Sequence, residues 1–153
     1  MDITLHFDGL DPKTAGAQLH KAVREGADRA VRVACETGET VAKREAPYRT
    51  GELRDSIHGR PTGGSANQAT GIVEATAAHA SLMADGTNPH TIRARRKRAL
   101  HWVDEGGDRF AVSVAHPGTK PDDFFEQAKA ATDRDLNAAM QRVTEEAIAK
   151  LGR

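Results

Sequence analysis

The sequence predicts an α+β fold: an antiparallel sheet with a long N-terminal helix and a long C-terminal helix packed on it, in a single domain over residues 1–153. Three observations carry this reading. Residues 13–44 and 123–151 each set apolar side chains on one helical stripe. The stretch between them breaks into short alternating runs separated by Gly, Asn and Asp. With 38% hydrophobic and 4% aromatic residues, a chain of 153 can bury one modest core, built from Ala, Val and Leu.

The elements follow in order. ITLHF, 3–7, alternates as a short strand does, and DGLDP, 8–12, supplies a turn and a helix start. Along the helix that follows, Leu19, Val23, Ala27, Ala30, Ala34 and Val41 fall on one stripe, with Arg, Glu and Lys opposite. Gly26 and Gly38 each weaken it by up to about 1 kcal/mol relative to Ala. Small residues on the buried stripe therefore predict that another element comes close. Pro47 disfavours helical dihedrals at Ala46 and ends the helix there.

In YRTGELRDSI, 48–57, Thr50 and Gly51 precede a single helical turn; Thr50 is placed as its N-cap, Leu53 follows, and a strand begins near Ile57. PTGGSANQATG, 61–71, reads as a floppy hairpin loop before a strand at 72–77. Gly86 and Pro89 bracket a turn in which Thr87 and Asn88 can bond neighbouring backbone, with His90 after it; His116, Pro117 and Gly118 make a comparable turn. Strands at 99–103 and 110–115 flank the turn DEGGD, with Trp102, the single tryptophan, assigned with Leu100 to the core side. Asp122 or Asp123 caps the last helix, whose stripe is Phe125, Ala128, Thr132, Leu136, Ala139, Val143 and Ala147. The loops at 62–69 and 91–97 are expected to be the most mobile.

Charge narrows the function. Lys and Arg number 22 and so do Asp and Glu, so the chain is formally neutral, yet Arg93, Arg95, Arg96, Lys97 and Arg98 crowd into six positions. Without those five the rest carries −5, which makes the run a local feature on a mildly acidic body and excludes a general DNA coater. The single Cys35 excludes an intramolecular disulfide and reads as a small buried thiol. The first residues lack the basic and apolar regions of a secretory signal, and no apolar run approaches about 18 residues. A chain made in the cytoplasm, with no membrane partner, is expected. His79, His90, His101 and His116 each stand alone, without the i, i+3 or i, i+4 spacing that sets two ligands on one turn, so neither metal nor cofactor is expected. No Gly-x-Ser-x-Gly elbow or phosphate loop is present, and the chain is not expected to be an enzyme.

Three segments in this order, YRTGELRDSI, SLMADGTNPHTIRARRKRALHW and FAVSVAHPGTKPDDFFEQA, resemble the tail-component family of long-tailed double-stranded DNA phages, of the tail-completion or neck type. The resemblance covers residues 48–128. It implies an α+β virion structural protein at the head–tail junction, made in the host bacterial cytoplasm. Six or twelve copies would form a ring that joins or finishes the tail and lets duplex DNA pass through its lumen. The implied partners are copies of itself, a head-side connector or stopper protein and the tail-tube protein. The basic run then has three readings: a solvated loop, a loop docking on a neighbouring subunit, and a loop facing DNA. Two readings from other classes stand beside it, a small nucleic-acid-binding module using residues 93–98 and a hydrolase whose histidines converge in the fold.

Overall fold

The computed structural model describes residues 1–6 and 16–151. Among these, seven strands and four helices run β1 (Asp2–His6), α1 (Ala17–Glu45), α2 (Glu52–Asp55), β2 (Ile57–Ser65), β3 (Gln68–Ala75), α3 (Ala80–Ala84), β4 (His90–Arg93), β5 (Leu100–Asp104), β6 (Gly107–Ala111), β7 (Ser113–His116) and α4 (Phe124–Leu151). The fold is α+β, as the periodicities require. The turn expected at 8–12 and the helix start at 13 lie outside the described residues. The chain forms two compact units, Met1–Ala80 with Asp123–Arg153, and Ser81–Asp122.

In the first unit β3 is the central strand of an antiparallel sheet in the order β1-β3-β2. Pro61 is tolerated in β2 because β2 is an edge. Along β3, burial alternates and turns Ala69, Gly71 and Val73 inward. Helix α1 lies on this face and α4 lies against α1. Glycines set the distances. A Cβ on Gly71 would strike Cys35 Sγ and come within 2.9 Å of Val31 Cγ1, and one on Gly59 would strike the Cys35 carbonyl. Gly26 meets Val143 of α4, where a Cβ would lie 2.6 Å from its Cγ1. A Cβ on Gly38 would lie 2.8 Å from Thr132 Oγ1 and 2.9 Å from Val73 Cγ2, so this one position of α1 is closely approached by both neighbouring layers. The close approach expected from small residues is therefore present on both sides of α1, at the helix-propensity cost of two glycines.

The core is almost wholly aliphatic: Val23, Ala27, Ala30, Val31, Ala34, Cys35 and Ala42 of α1 face Phe124, Ala128, Ala131 and Ala147 of α4 or Ile57 and Val73 of the sheet. Phe124 is fully buried and the flanking Phe125 only half so, which moves the start of the α4 stripe by one residue. Thr132, the one buried polar residue among the described residues, donates to Ala34 O at 3.5 Å, and Thr37 donates to Asp135 Oδ2 at 2.7 Å.

Two expectations fail here. The segment 61–71 is not a loop: β2 and β3 continue through it to a two-residue turn at Ala66 and Asn67, with one irregularity between Pro61 and Gly63. Its Gly- and Thr-rich composition argues for a loop, but pairing with β1 and β2 satisfies the β3 backbone on both edges. Thr62 and Thr70 hydroxyls meet at 2.9 Å across the strands. Thr50 is not the N-cap of α2. Gly51, at φ 91°, takes that position, and Thr50 Oγ1 accepts only a long 3.4 Å bond from the Glu52 N–H.

The second unit has two separate ribbons, β4 with β7 and β5 with β6. The run 110–115, expected as one strand, is broken at Val112, where the chain passes from pairing with β5 to pairing with β4. Residues 91–93, expected in a loop, belong to β4.

Candidate functional site

The first motif, residues 48–57, is a joint between helix and sheet. Helix α1 ends at Ala46 with extended dihedrals ahead of Pro47, leaving its last carbonyls without intrahelical partners. Arg54 supplies them. Its Nε and Nη2 donate to Ala46 O at 2.9 and 2.7 Å, and Nη2 also reaches Arg44 O at 3.3 Å. The guanidinium carbon lies 5.2 Å from the centre of the exposed Tyr48 ring. Leu53 and Ile57 are buried, and Ser56 joins α2 to the sheet by donating to Leu53 O at 2.8 Å and accepting from the Thr76 N–H at 3.1 Å. Left-handed Gly51 turns the chain sharply enough for Arg54 to double back.

Nearby, Glu39 of α1 accepts from Lys43 Nζ at 2.6 Å and from the Gly59 N–H at 2.8 Å. These bonds, the one from Lys43 foremost, hold its carboxyl below the usual carboxylate range. Burial pushes the Cys35 thiol up, so it stays protonated beneath the sheet as a packing group.

The second and third motifs close on each other inside the Ser81–Asp122 unit. Thr87 N–H donates to Thr119 O at 2.9 Å, and Thr119 N–H donates to Thr87 O at 3.1 Å and to Thr87 Oγ1 at 2.9 Å. Gly86 at φ 70° and Gly118 at φ 91° make this clasp possible, since a Cβ at either would strike the opposing strand's backbone. His90 and His116 are paired residues of β4 and β7, with ring centroids 5.0 Å apart. His90 Nδ1 faces Asn88 O at 2.9 Å, while His116 Nδ1 accepts from the Gly118 N–H at 3.1 Å. Pro89 and Pro117 flank the clasp on its two strands. Gly86, Thr87, Pro89, His90, His116, Pro117 and Gly118 thus come together as one structural device. Thr50 and Gly51 belong to the joint described above.

The clasp is where the basic run begins. Arg93 ends β4 opposite Ser113, the Ala94 N–H donates to Val112 O at 3.0 Å, and residues 95–98 bend through solvent to β5. All five cations are exposed, and none is in an ion pair or hydrogen bond among the described residues. Beyond them, Trp102 is 39% exposed, against the core position the alternation of β5 suggested. Alternation requires only a pleated ribbon, and in this unit no third layer covers it. Val103, Phe110 and Val112 are each about 70% exposed, values no motif singles out. Among the described residues no three or more of His, Cys, Asp and Glu are placed to hold a metal ion. No helix among them is long and apolar enough to cross a membrane.

Residues 13–86 match the model of the HK97-gp10-like family, described as "Bacteriophage HK97-gp10, putative tail-component". This segment is similar to that phage tail-component family. The family match takes in α1, the Arg54 joint, β2 and β3, and stops at Gly86, the first glycine of the clasp. The basic run and the exposed ribbon lie beyond the part that the HK97-gp10-like model describes. No curated protein and no solved structure matches the chain.

Proposed function

We propose that the chain is a structural protein of the phage head–tail interface, a tail-completion, tail-terminator or neck component without catalytic activity. It assembles as a ring of six or twelve copies between a head-side connector or stopper protein and the tail tube, and duplex DNA passes through the lumen. The observation that carries this reading is the family match over residues 13–86, which takes in α1, β2 and β3 of the unit that holds the buried core. The second unit supports it from chemistry, because it carries apolar side chains and five unpaired cations on a framework with no buried residue of its own, as assembly surfaces do.

Deleting the gene from the phage is the test. The expected result is DNA-filled or leaking heads beside unattached tails, with tube lengths irregular if the protein terminates the tube. Normal infectious particles in its absence, or particles of the parent phage that lack this chain by mass spectrometry, overturn the proposal. The basic run favours one second reading, a nucleic-acid-binding module. That reading requires tight, sequence-selective duplex binding by the isolated chain, and the absence of such binding at physiological salt removes it.

A further inference from the structure

The clasp inside the Ser81–Asp122 unit is bordered by two imidazoles whose backbone contacts respond differently to a proton. His90 and His116 are directly paired on β4 and β7, with ring centroids 5.0 Å apart. Their contacts fix opposite tautomers. A carbonyl oxygen only accepts, so the His90 Nδ1 that faces Asn88 O at 2.9 Å carries a hydrogen. A backbone N–H only donates, so the His116 Nδ1 that receives Gly118 N–H at 3.1 Å carries a lone pair. A proton taken up by His90 therefore enters at Nε2 and leaves its backbone bond intact. One taken up by His116 enters at Nδ1, where it sets a donor against the Gly118 donor and breaks the bond.

That bond is tied to the clasp through the chain. Gly118 precedes Thr119, whose N–H donates to Thr87 O at 3.1 Å and to Thr87 Oγ1 at 2.9 Å. Releasing the Gly118 N–H removes the contact that aims the Thr119 N–H at Thr87. The surroundings do not compensate a charge on the rings. Alternation along the ladder puts Ile92 and Val114 on the face of the two histidines, and Thr91, Arg93, Ser113 and Ala115 on the other. The flanking turns add Asp85 ahead of Gly86, and Lys120 and Asp122 after Thr119. Neither ring is in an ion pair among the described residues. Two charged rings this close also repel each other. His101 of the β5–β6 ribbon is the contrast: its Nε2 lies 2.5 Å from Asp108 Oδ1, so a proton strengthens that contact.

We propose that His90 and His116 form a pH-sensitive latch, which holds the Thr87–Thr119 clasp shut while both rings are neutral and opens it when they are protonated. The sign follows from the acceptor role of His116. The closed clasp favours the neutral ring, so its stability is complete above the pH range in which imidazole titrates and is lost as pH falls through that range. The latch is complete within the Ser81–Asp122 unit and stands independently of the proposed function.

Amide exchange of the full chain, measured by NMR at about pH 7.5 and about pH 5, on either side of the imidazole range, tests it. Protection of the Thr87 and Thr119 amides, referenced at each pH to the rate of an unfolded chain, is expected to fall several-fold on acidification. Protection of the α1 amides between Ala27 and Ala42 should hold. His116→Asn separates the latch from a general loosening in acid, because the new amide oxygen can accept the same Gly118 N–H and does not titrate. In that variant the two clasp amides should keep their protection at the lower pH. His90→Gln leaves His116 in place and removes the repulsion between the rings, so the midpoint of the loss should move to lower pH. A clasp in the unsubstituted chain that is equally protected at both pH values overturns the proposal, and so does an equal fall in His116→Asn. If His116→Asn does not fold, His90→Gln decides: a midpoint that stays where it was overturns the latch.

Discussion

At the scale of single residues, the glycines and Arg54 decide how the helices and the sheet meet. Gly71 faces Cys35 Sγ and Val31 across the interface between sheet and helix, so Gly71→Ala overpacks a site with backbone on one side and a buried helix on the other. It should cost about 1–3 kcal/mol, read as a lower urea midpoint at unchanged slope. Arg54→Ala strands the Ala46 and Arg44 carbonyls and should cost about 1–2 kcal/mol, toward the low end for hydrogen bonds to a charged group. Glu39 adds a pH dependence whose sign is fixed by the depressed carboxyl. Its contribution is fully present above the unfolded carboxyl value of about 4.3 and is lost as pH falls through the lower folded value. Glu39→Gln should therefore lower stability at pH 7 and flatten the loss on acidification below about pH 4. Urea melts at pH 7, 4 and 3 measure this, and parallel curves for the two proteins would refute it.

At the scale of elements, the two units contrast in what holds them. Helices α1 and α4 and strands β1 to β3 share the buried core, whereas β4 to β7 rely on ladder bonds and the Thr87–Thr119 clasp. Amides of β5 and β6 in the isolated chain should exchange with solvent deuterium far faster than those of α1 between Ala27 and Ala42, because opening the ribbon exposes no core. Equal protection of both regions would count against this. The basic run belongs to the same scale. Replacing Arg95, Arg96, Lys97 and Arg98 together by Ser should change stability by no more than about 0.5 kcal/mol, since none of the four has a partner to lose among the described residues. A shift of several kcal/mol in urea melts would mean that the run is packed.

At the scale of the whole molecule, net neutrality governs what the isolated chain can do. One copy has about five cations to set against phosphate, so duplex binding should be weak and fall steeply between 50 and 200 mM salt. Filter binding across that range checks it, and affinity that resists salt would favour the nucleic-acid module. Copies arranged around a lumen would multiply the same five charges into a strong local field.

The sequence alone determined the two helical stripes, because a 3.6-residue period survives any detail of packing. It also determined the end of α1 ahead of Pro47 and the glycine-bearing turns around Gly86 and Gly118, where local geometry leaves few choices. The three quoted segments carried the family resemblance, and the first of them lies inside the matched region. Only the tertiary structure decided the rest. Residues 61–71 form strands because β1 and β2 bond both edges of β3, and nothing in their composition announces those neighbours. Arg54 caps a helix eight residues upstream, a link that exists only once Gly51 has turned the chain. Trp102 looked buried because alternation reports a pleated surface with two unlike faces. Whether either face is covered depends on a further layer, and the Ser81–Asp122 unit by itself supplies none to the β5–β6 ribbon.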